Sequence, residues 1–269
     1  MMKQRLIAAV ILCACGAAQA GLSDFYVAGA DGRIYSVNGS SLAATEIYQV
    51  QGGLAINDII FTGNNRMLAN VTDQLIEHNM TTGTETVIFD VNDYEGEDEI
   101  FFTSGFSGTH RGDIFMSVRR IGPDLNDYIG ARFDPFTSTF TELADIQSTV
   151  GGLFFDHQEI APNRFLGADY QNDSVIVFNS ASGMQLDSYD VGFSPVSFLE
   201  LGADLFLLDG NGGLHTFDTD DGSTSLYGTL SGFQGDLLGA ASTEVFRIPS
   251  PSGTALLGFA GLWGTRRLR

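Results

Sequence analysis

The chain has 269 residues, of which 33 are acidic and 13 basic, and its formal net charge is −20. This negative charge repels phosphate backbones, so we expect no nucleic acid among its partners. An apolar share of 43% is enough to build a core. No apolar run reaches the ~18 consecutive residues that a membrane-spanning helix needs.

Residues 1–20 are predicted to be a secretory signal peptide. Two basic residues, an apolar run and a small-residue cleavage pattern follow one another in the order that signal peptidase requires. They are Lys3 and Arg5, then Leu6 to Cys15, then Ala18 and Ala20. Cleavage before Gly21 removes both cysteines of the chain, so the mature protein would have neither a thiol nor a disulfide. The alternative is a buried N-terminal helix.

Residues 21–247 contain one pattern five times: a strand, a turn rich in Ser, Thr and Gly, and a second strand. In each copy Asn or Asp follows the first strand, at intervals of 41, 55, 45 and 39 residues; these residues are Asn38, Asn79, Asp134, Asn179 and Asp218. We expect them to form hairpin turns, in which Asn and Asp side chains bond the backbone. With further strands upstream, four strands every ~40–45 residues indicate the blades of a β-propeller.

We therefore predict an all-β fold, a single β-propeller of five four-stranded blades. The first unit has only three strands, within residues 24–50, and an unpaired stretch, 236–247, follows the last unit. That stretch can supply the innermost strand of the first blade, which would close the ring and cover an open sheet edge. Six blades are the alternative, because the 55-residue interval has room for extra strands, and a β-sandwich is a more distant one. The body resembles WD40-like and NHL-like propellers in its periodicity only.

An acidic cluster lies between the second and third units. It follows Asp90 and comprises Asp93, Glu95, Glu97, Asp98 and Glu99. Carboxylates at this density are candidate ligands for calcium, which prefers six to eight oxygen atoms. Their spacing fits no calcium loop, so we favour a solvated loop and expect no cofactor other than this candidate calcium. The run from Asp218 to Gly222 also lacks calcium-loop spacing and is better explained as a hairpin turn.

The histidines give only weak indications of a metal-binding or catalytic site. His78 and His215 fall on the repeated strand, where packing is the simpler role. His157, which we place at the start of a strand next to Asp156, is a candidate metal ligand or acid–base residue. No HExxH, GxSxG, P-loop or GxGxxG motif occurs, so we predict no catalytic residue. The tripeptide from Arg111 to Asp113 is too short to predict adhesion.

Residues 248–269 form a tail of three parts. A proline-containing spacer precedes a short apolar segment and an arginine cluster, and the defining residues are Pro249, Pro251, Arg266, Arg267 and Arg269. This order resembles the PEP-CTERM sorting signal of exported bacterial proteins, with Pro-Ser-Pro in place of Pro-Glu-Pro. The resemblance implies processing by an exosortase-like enzyme and transient anchoring of the tail in the membrane. A final packed helix and a plain membrane anchor are the alternatives.

The function predicted from these features is that of an exported propeller. It would reside in the cell envelope, on the outer surface or outside the cell, as a non-enzymatic binding or structural module with a polysaccharide or protein ligand. Signal peptidase and an exosortase-like enzyme would be its processing partners. The alternative is a metal-dependent hydrolase or lactonase, which would need carboxylates and histidines from several blades to meet at the channel mouth.

Overall fold

The computed structural model describes residues 22–63, 65–93, 99–109, 112–122, 125–135, 137–145 and 154–243. The signal peptide with Ala18 and Ala20, and the sorting tail with its prolines and arginines, lie outside the described residues. Both remain predictions, as do the boundaries of the body at residues 21 and 247. No helix among the described residues is long and apolar enough to cross a membrane.

The described chain forms five four-stranded antiparallel sheets, which are the blades of a propeller. In the first three blades the strands are, in chain order, β1 (Phe25–Gly29), β2 (Arg33–Asn38), β3 (Ala43–Gln49), β4 (Ile56–Gly63), β5 (Arg66–Val71), β6 (Gln74–Asn79), β7 (Thr84–Asp90), β8 (Glu99–Gly108), β9 (Ile114–Gly122), β10 (Leu125–Asp134) and β11 (Thr139–Asp145). Short 3-10 turns, Gln51–Gly53 and Val91–Asp93, follow β3 and β7. The prediction of five blades is confirmed, and long strands β8, β9 and β10 account for the 55-residue interval.

The last two blades and the closing strand complete the ring. Their strands are β12 (Phe154–Ala161), β13 (Arg164–Asp169), β14 (Ser174–Asn179), β15 (Gln185–Asp190), β16 (Pro195–Leu201), β17 (Asp204–Asp209), β18 (Gly213–Phe217), β19 (Thr224–Thr229) and β20 (Leu237–Ser242). The innermost strands β20, β4, β8, β12 and β16 belong to blades 1 to 5 and contact one another in a ring around the central channel.

The ring is closed by strand β20, as the sequence predicts. This strand pairs antiparallel with β1, with Tyr26 opposite Ala241, and becomes the innermost strand of blade 1. The preceding segment adds a second connection, because Ser231 forms a bridge to Ala43 at the start of β3. Since β20 comes from the end of the described chain and β1 from its beginning, the backbone hydrogen bonds between them hold the ring shut.

The hydrophobic core is divided among the five boundaries between blades. Successive side chains on a strand point to opposite faces of the sheet, so Ile59 packs between blades 1 and 2 whereas Ile60 packs between blades 2 and 3. The boundary between blades 3 and 4 is aromatic, with Phe115, Phe165 and Phe178 in contact. Each blade therefore buries both of its faces, and a blade on its own would expose them.

All five repeated turn residues have the predicted role. Their side-chain oxygens accept backbone N–H groups two or three residues ahead, in the hairpins at Asn38, Asn79, Asp134, Asn179 and Asp218. Each hairpin then has one residue in the left-handed region of the backbone: Leu42, Gly83, Ser138, Gly183 and Gly222. The interpretation of Asp218 to Gly222 as a turn is thus confirmed.

Candidate functional site: the central channel

The channel is built around the innermost strands, which share a local irregularity. Each of them has a break in its register with the second strand of its blade, and the breaks fall before Gly239, Asp58, Phe106, His157 and Ser197. A β-bulge of this kind re-aims the side chains beside it. The bulges position Asp58, Asp156 and Ser197, whose side chains bond to strands of neighbouring blades.

Asp58 connects blade 2 to blade 3. Its Oδ1 accepts the backbone N–H of Ile59 at 2.8 Å, and its Oδ2 accepts that of Phe106 on β8 at 3.0 Å. The side chain is almost completely buried, with 1% of its residue surface exposed. The two N–H groups therefore replace much of the hydration that the carboxyl group loses on burial.

Asp156 and Ser197 extend the connection to the remaining blades. Asp156 Oδ2 accepts the hydroxyl of Ser197 and the N–H of Phe198, both at 2.7 Å and both from blade 5. Ser197 Oγ in turn accepts the N–H of Ala240, on the closing strand of blade 1, at 2.9 Å. Blades 4, 5 and 1 are thus joined by side chain-to-backbone hydrogen bonds in addition to their apolar contacts.

Both aspartates lie in the wall of the same cavity, where the side chain of Asp58 in blade 2 interacts with that of Asp156 in blade 4. Burial, and then the nearby charge of Asp156, raise the pKa of Asp58 well above its usual value. Burial also raises the pKa of Asp156, to about 6, although the hydrogen bonds it accepts oppose the shift. With this interaction, and the bonds to Phe106, Phe198 and Ala240, polar contacts of the channel touch all five blades.

Gly239 leaves room for Asp58. A Cβ atom at this position would lie 2.6 Å from Asp58 Cα and 2.7 Å from Asp58 Oδ1. These distances are too short for van der Waals contact, so the closing strand approaches β4 closely only because residue 239 has no side chain. The glycine is required here for space, since its φ angle is not in the left-handed region.

His157 follows Asp156 in β12, inside the strand and not at its start. Its Nε2 lies 2.7 Å from the hydroxyl of Ser117, and the ring packs edge-on against Phe115. Burial lowers the pKa of His157 to about 3, against the opposing effect of a hydrogen bond to the backbone of Gly105. The imidazole is therefore neutral and held by its neighbours, which is the arrangement of a packed histidine.

Three residues of the predicted acidic cluster lie among the described residues. Asp90 ends β7, Asp93 lies exposed in a 3-10 turn and Glu99 begins β8, whereas Glu95, Glu97 and Asp98 are outside the described residues. Among the residues that the structure does describe, no group of three or more His, Cys, Asp or Glu side chains could hold a metal ion. The candidate calcium site consequently stays a prediction.

His78 and His215 lie on β6 and β18, the third strands of blades 2 and 5. His78 stacks on Tyr48, and His215 stacks on Phe193 with ring centroids 3.8 Å apart. Their aromatic partners come from the end of the preceding blade or from the segment after it. Packing at a blade boundary is thus the role of both side chains, as the sequence suggests.

Two cavities are lined in part by the innermost strands. The first has a volume of about 250 Å³, lies in the channel and has Asp58 and Asp156 in its wall. The second, about 680 Å³, is a groove between blades 4 and 5, and the two cavities share Gln158 and Glu200. Carboxylate and hydroxyl groups line the groove, among them Glu200, Asp204, Asp218, Thr216, Ser223 and Ser225.

Comparison with known proteins supports the fold only. No family model and no curated protein matches the chain. A protein of unknown function from Bacteroides caccae is similar in structure, with a TM-score of 0.52 and 12% identity over 80% of this chain and 76% of its own. A chain in a crystal structure of a nidogen/laminin complex has a TM-score of 0.50 and 13% identity over 82% of this chain and 85% of its own. A streptogramin B lyase structure gives a TM-score of 0.44 with 13% identity, covering 78% of this chain and 70% of its own.

Proposed function

We propose that this chain is an exported propeller that acts as a non-enzymatic binding or structural module in the cell envelope or the extracellular matrix. The observation that carries this proposal is the use of the channel carboxylates. Asp58 and Asp156 accept N–H and hydroxyl groups from the adjacent blades, and these bonds hold the ring together. This use of both carboxylates supports a structural role for them.

The groove between blades 4 and 5 is the proposed binding surface. Propellers bind ligands through the loops and openings at one end of the ring, and residues between strands, Ala203, Thr219 and Ser223, line this groove. Its hydroxyl and carboxylate groups suit a hydroxyl-rich ligand, so a polysaccharide is the proposed occupant. Hydrogen bonds from sugar hydroxyls to the carboxylates of Glu200 and Asp218 would be charge-assisted and therefore the stronger ones.

A binding experiment tests the groove. Purified protein is incubated with insoluble exopolysaccharide from its host, and the bound fraction is measured for wild type and for Asp218→Ala combined with Ser225→Ala. We expect the double variant to bind less. Asp187→Ala, an exposed change on the outermost strand of blade 4, is the matched control and should bind as wild type. Equal binding by all three proteins would refute the proposed surface.

Export is tested separately in the host. The proposal requires the mature protein to begin at Gly21 and to fractionate with the envelope or the medium. Replacing the three tail arginines, Arg266, Arg267 and Arg269, with Ala should leave the tail unprocessed and change the fraction in which the protein is found. Full-length, uncleaved protein in the cytosol would refute the exported role while leaving the binding result intact.

The hydrolase alternative has less support. It requires several metal-ligating side chains to converge on the channel, and within the described ranges Asp156 and His157 are adjacent but engaged by Ser197 and Ser117, respectively. We therefore do not propose an enzymatic function.

A further inference from the structure

We infer that Asp58 and Asp156 hold one proton between them at neutral pH, and that the hydrogen bond made by this shared proton joins blade 2 to blade 4 across the channel. Two ionised carboxylates cannot hydrogen-bond to each other, since neither has a donor. Both side chains are buried in the wall of one cavity, so a direct contact between them needs one protonated carboxyl group.

The hydrogen-bond partners identify Asp58 as the group that carries the proton. Asp156 accepts three donors, from His157, Ser197 and Phe198, whereas Asp58 accepts two, from Ile59 and Phe106. More donors stabilise the ionised form more strongly. Asp156 is thus the carboxyl group that ionises more readily, and Asp58 is the one that keeps the proton.

Among the residues that the structure describes, the innermost strands supply no positive charge that could take the place of this proton. The five innermost strands, all within the described residues, contain neither lysine nor arginine. The titratable neighbours are His157 on β12, which burial keeps neutral, and Glu200 on β16, which is exposed at the mouth of the same cavity. Opposite Asp58, β5 contributes Asn70, and β20 contributes no titratable group. The described side chains of β8, residues 105–108, contribute none either.

The shared proton makes the free energy of unfolding decrease as the pH rises. In the unfolded chain both carboxyls are ionised above about pH 5, because an ordinary Asp has a pKa of about 3.9. The folded protein keeps the proton on Asp58 to a much higher pH, since its pKa is raised. Folding therefore binds a proton, and stability falls as pH rises through the neutral range until Asp58 ionises.

Asp58→Asn supplies the test, because the amide N–H₂ can donate to Asp156 at every pH. Equilibrium unfolding in urea is measured between about pH 7 and about pH 9, where Asp156 is ionised in both proteins. The unfolding constant of wild type should rise with pH relative to that of the variant, by up to about tenfold per pH unit as long as Asp58 keeps its proton. The exposed Asp187→Asn serves as the control and should follow wild type. Parallel curves for wild type and Asp58→Asn would overturn the inference.

Infrared spectroscopy gives a second test that does not depend on the variant's stability. Wild type at neutral pH should show the C=O band of a protonated carboxyl group, and a spectrum without that band would overturn the inference. EDTA should leave the unfolding curve of wild type unchanged. Destabilisation by EDTA would show that a cation, and not a proton, joins the two carboxyls.

Discussion

The hydroxyl of Ser197 in blade 5 donates to Asp156 in blade 4 and accepts the N–H of Ala240 from the closing strand of blade 1. One small side chain thus joins three blades at the point where the ring is closed. The four-stranded sheets are otherwise in contact mainly through apolar side chains. Because apolar contacts are non-directional, the hydrogen bonds add the geometric specificity that fixes each blade against the next.

Removing the carboxylate of Asp156 should destabilise the fold strongly. Asp156→Ala leaves three buried donors, His157 N–H, Ser197 O–H and Phe198 N–H, without their acceptor. We expect a loss of about 3 kcal/mol in the free energy of unfolding, measured with urea. Asp187→Ala on the exposed face of β15 is the control and should change it by less than about 0.5 kcal/mol. A similar small change in both variants would mean that the network contributes little.

A methyl group at position 239 should also lower the free energy of unfolding. Gly239→Ala forces β20 away from the backbone of Asp58, and we expect a loss of about 1–3 kcal/mol. Gly210→Ala is the matched control, because a Cβ there meets its nearest atoms at 3.7 Å, an ordinary contact distance. Thermal melting of both variants measures the difference, and equal melting points would contradict the close approach of β20 and β4.

The turn residues should each have a modest effect. Asn179 accepts the N–H groups of Ala181 and Ser182 at an exposed turn, so Asn179→Ala should cost about 1 kcal/mol. Asn179→Asp retains the acceptor and should remain close to wild type in the same urea titration. If the two variants lose stability equally, the side-chain oxygen is not what stabilises the turn.

The closing strand should be essential for a soluble fold. A chain that ends at residue 236 lacks β20 and exposes the edge of β1, which invites pairing with other chains. We expect it to aggregate in size-exclusion chromatography, whereas a chain that ends at residue 247 should elute as a folded monomer or a defined oligomer. Identical elution of the two chains would show that β20 is dispensable.

The architecture could be predicted from the sequence because every blade repeats the same local chemistry. Asn38, Asn79, Asp134, Asn179 and Asp218 each begin a turn whose geometry depends on nearby residues only, so the period is visible in the chain. Ring closure could be inferred for a similar reason, since a three-stranded first unit lacks a partner for β1.

The channel network could not be predicted in the same way. The network uses Asp58, Asp156, Ser197 and Gly239 in different blades, so no one residue type is common to all blades. The pairing of Asp58 with Asp156 depends on the curvature of the whole ring, which brings together side chains far apart in sequence. The sequence nevertheless contains one indication of the network. In three innermost strands a polar residue precedes side chains that are mostly buried, and these polar residues are Asp58, Asp156 and Ser197.

Amide hydrogen exchange at Phe106, Phe198 and Ala240 tests most directly whether the innermost strands form one network. These N–H groups donate to Asp58, Asp156 and Ser197, each in the neighbouring blade. They should be among the slowest to exchange in the wild-type protein, and Ser197→Ala should accelerate Ala240 while leaving Phe106 unchanged. Exchange of all three amides at the rate of the exposed turn residue Gly192 would contradict the account.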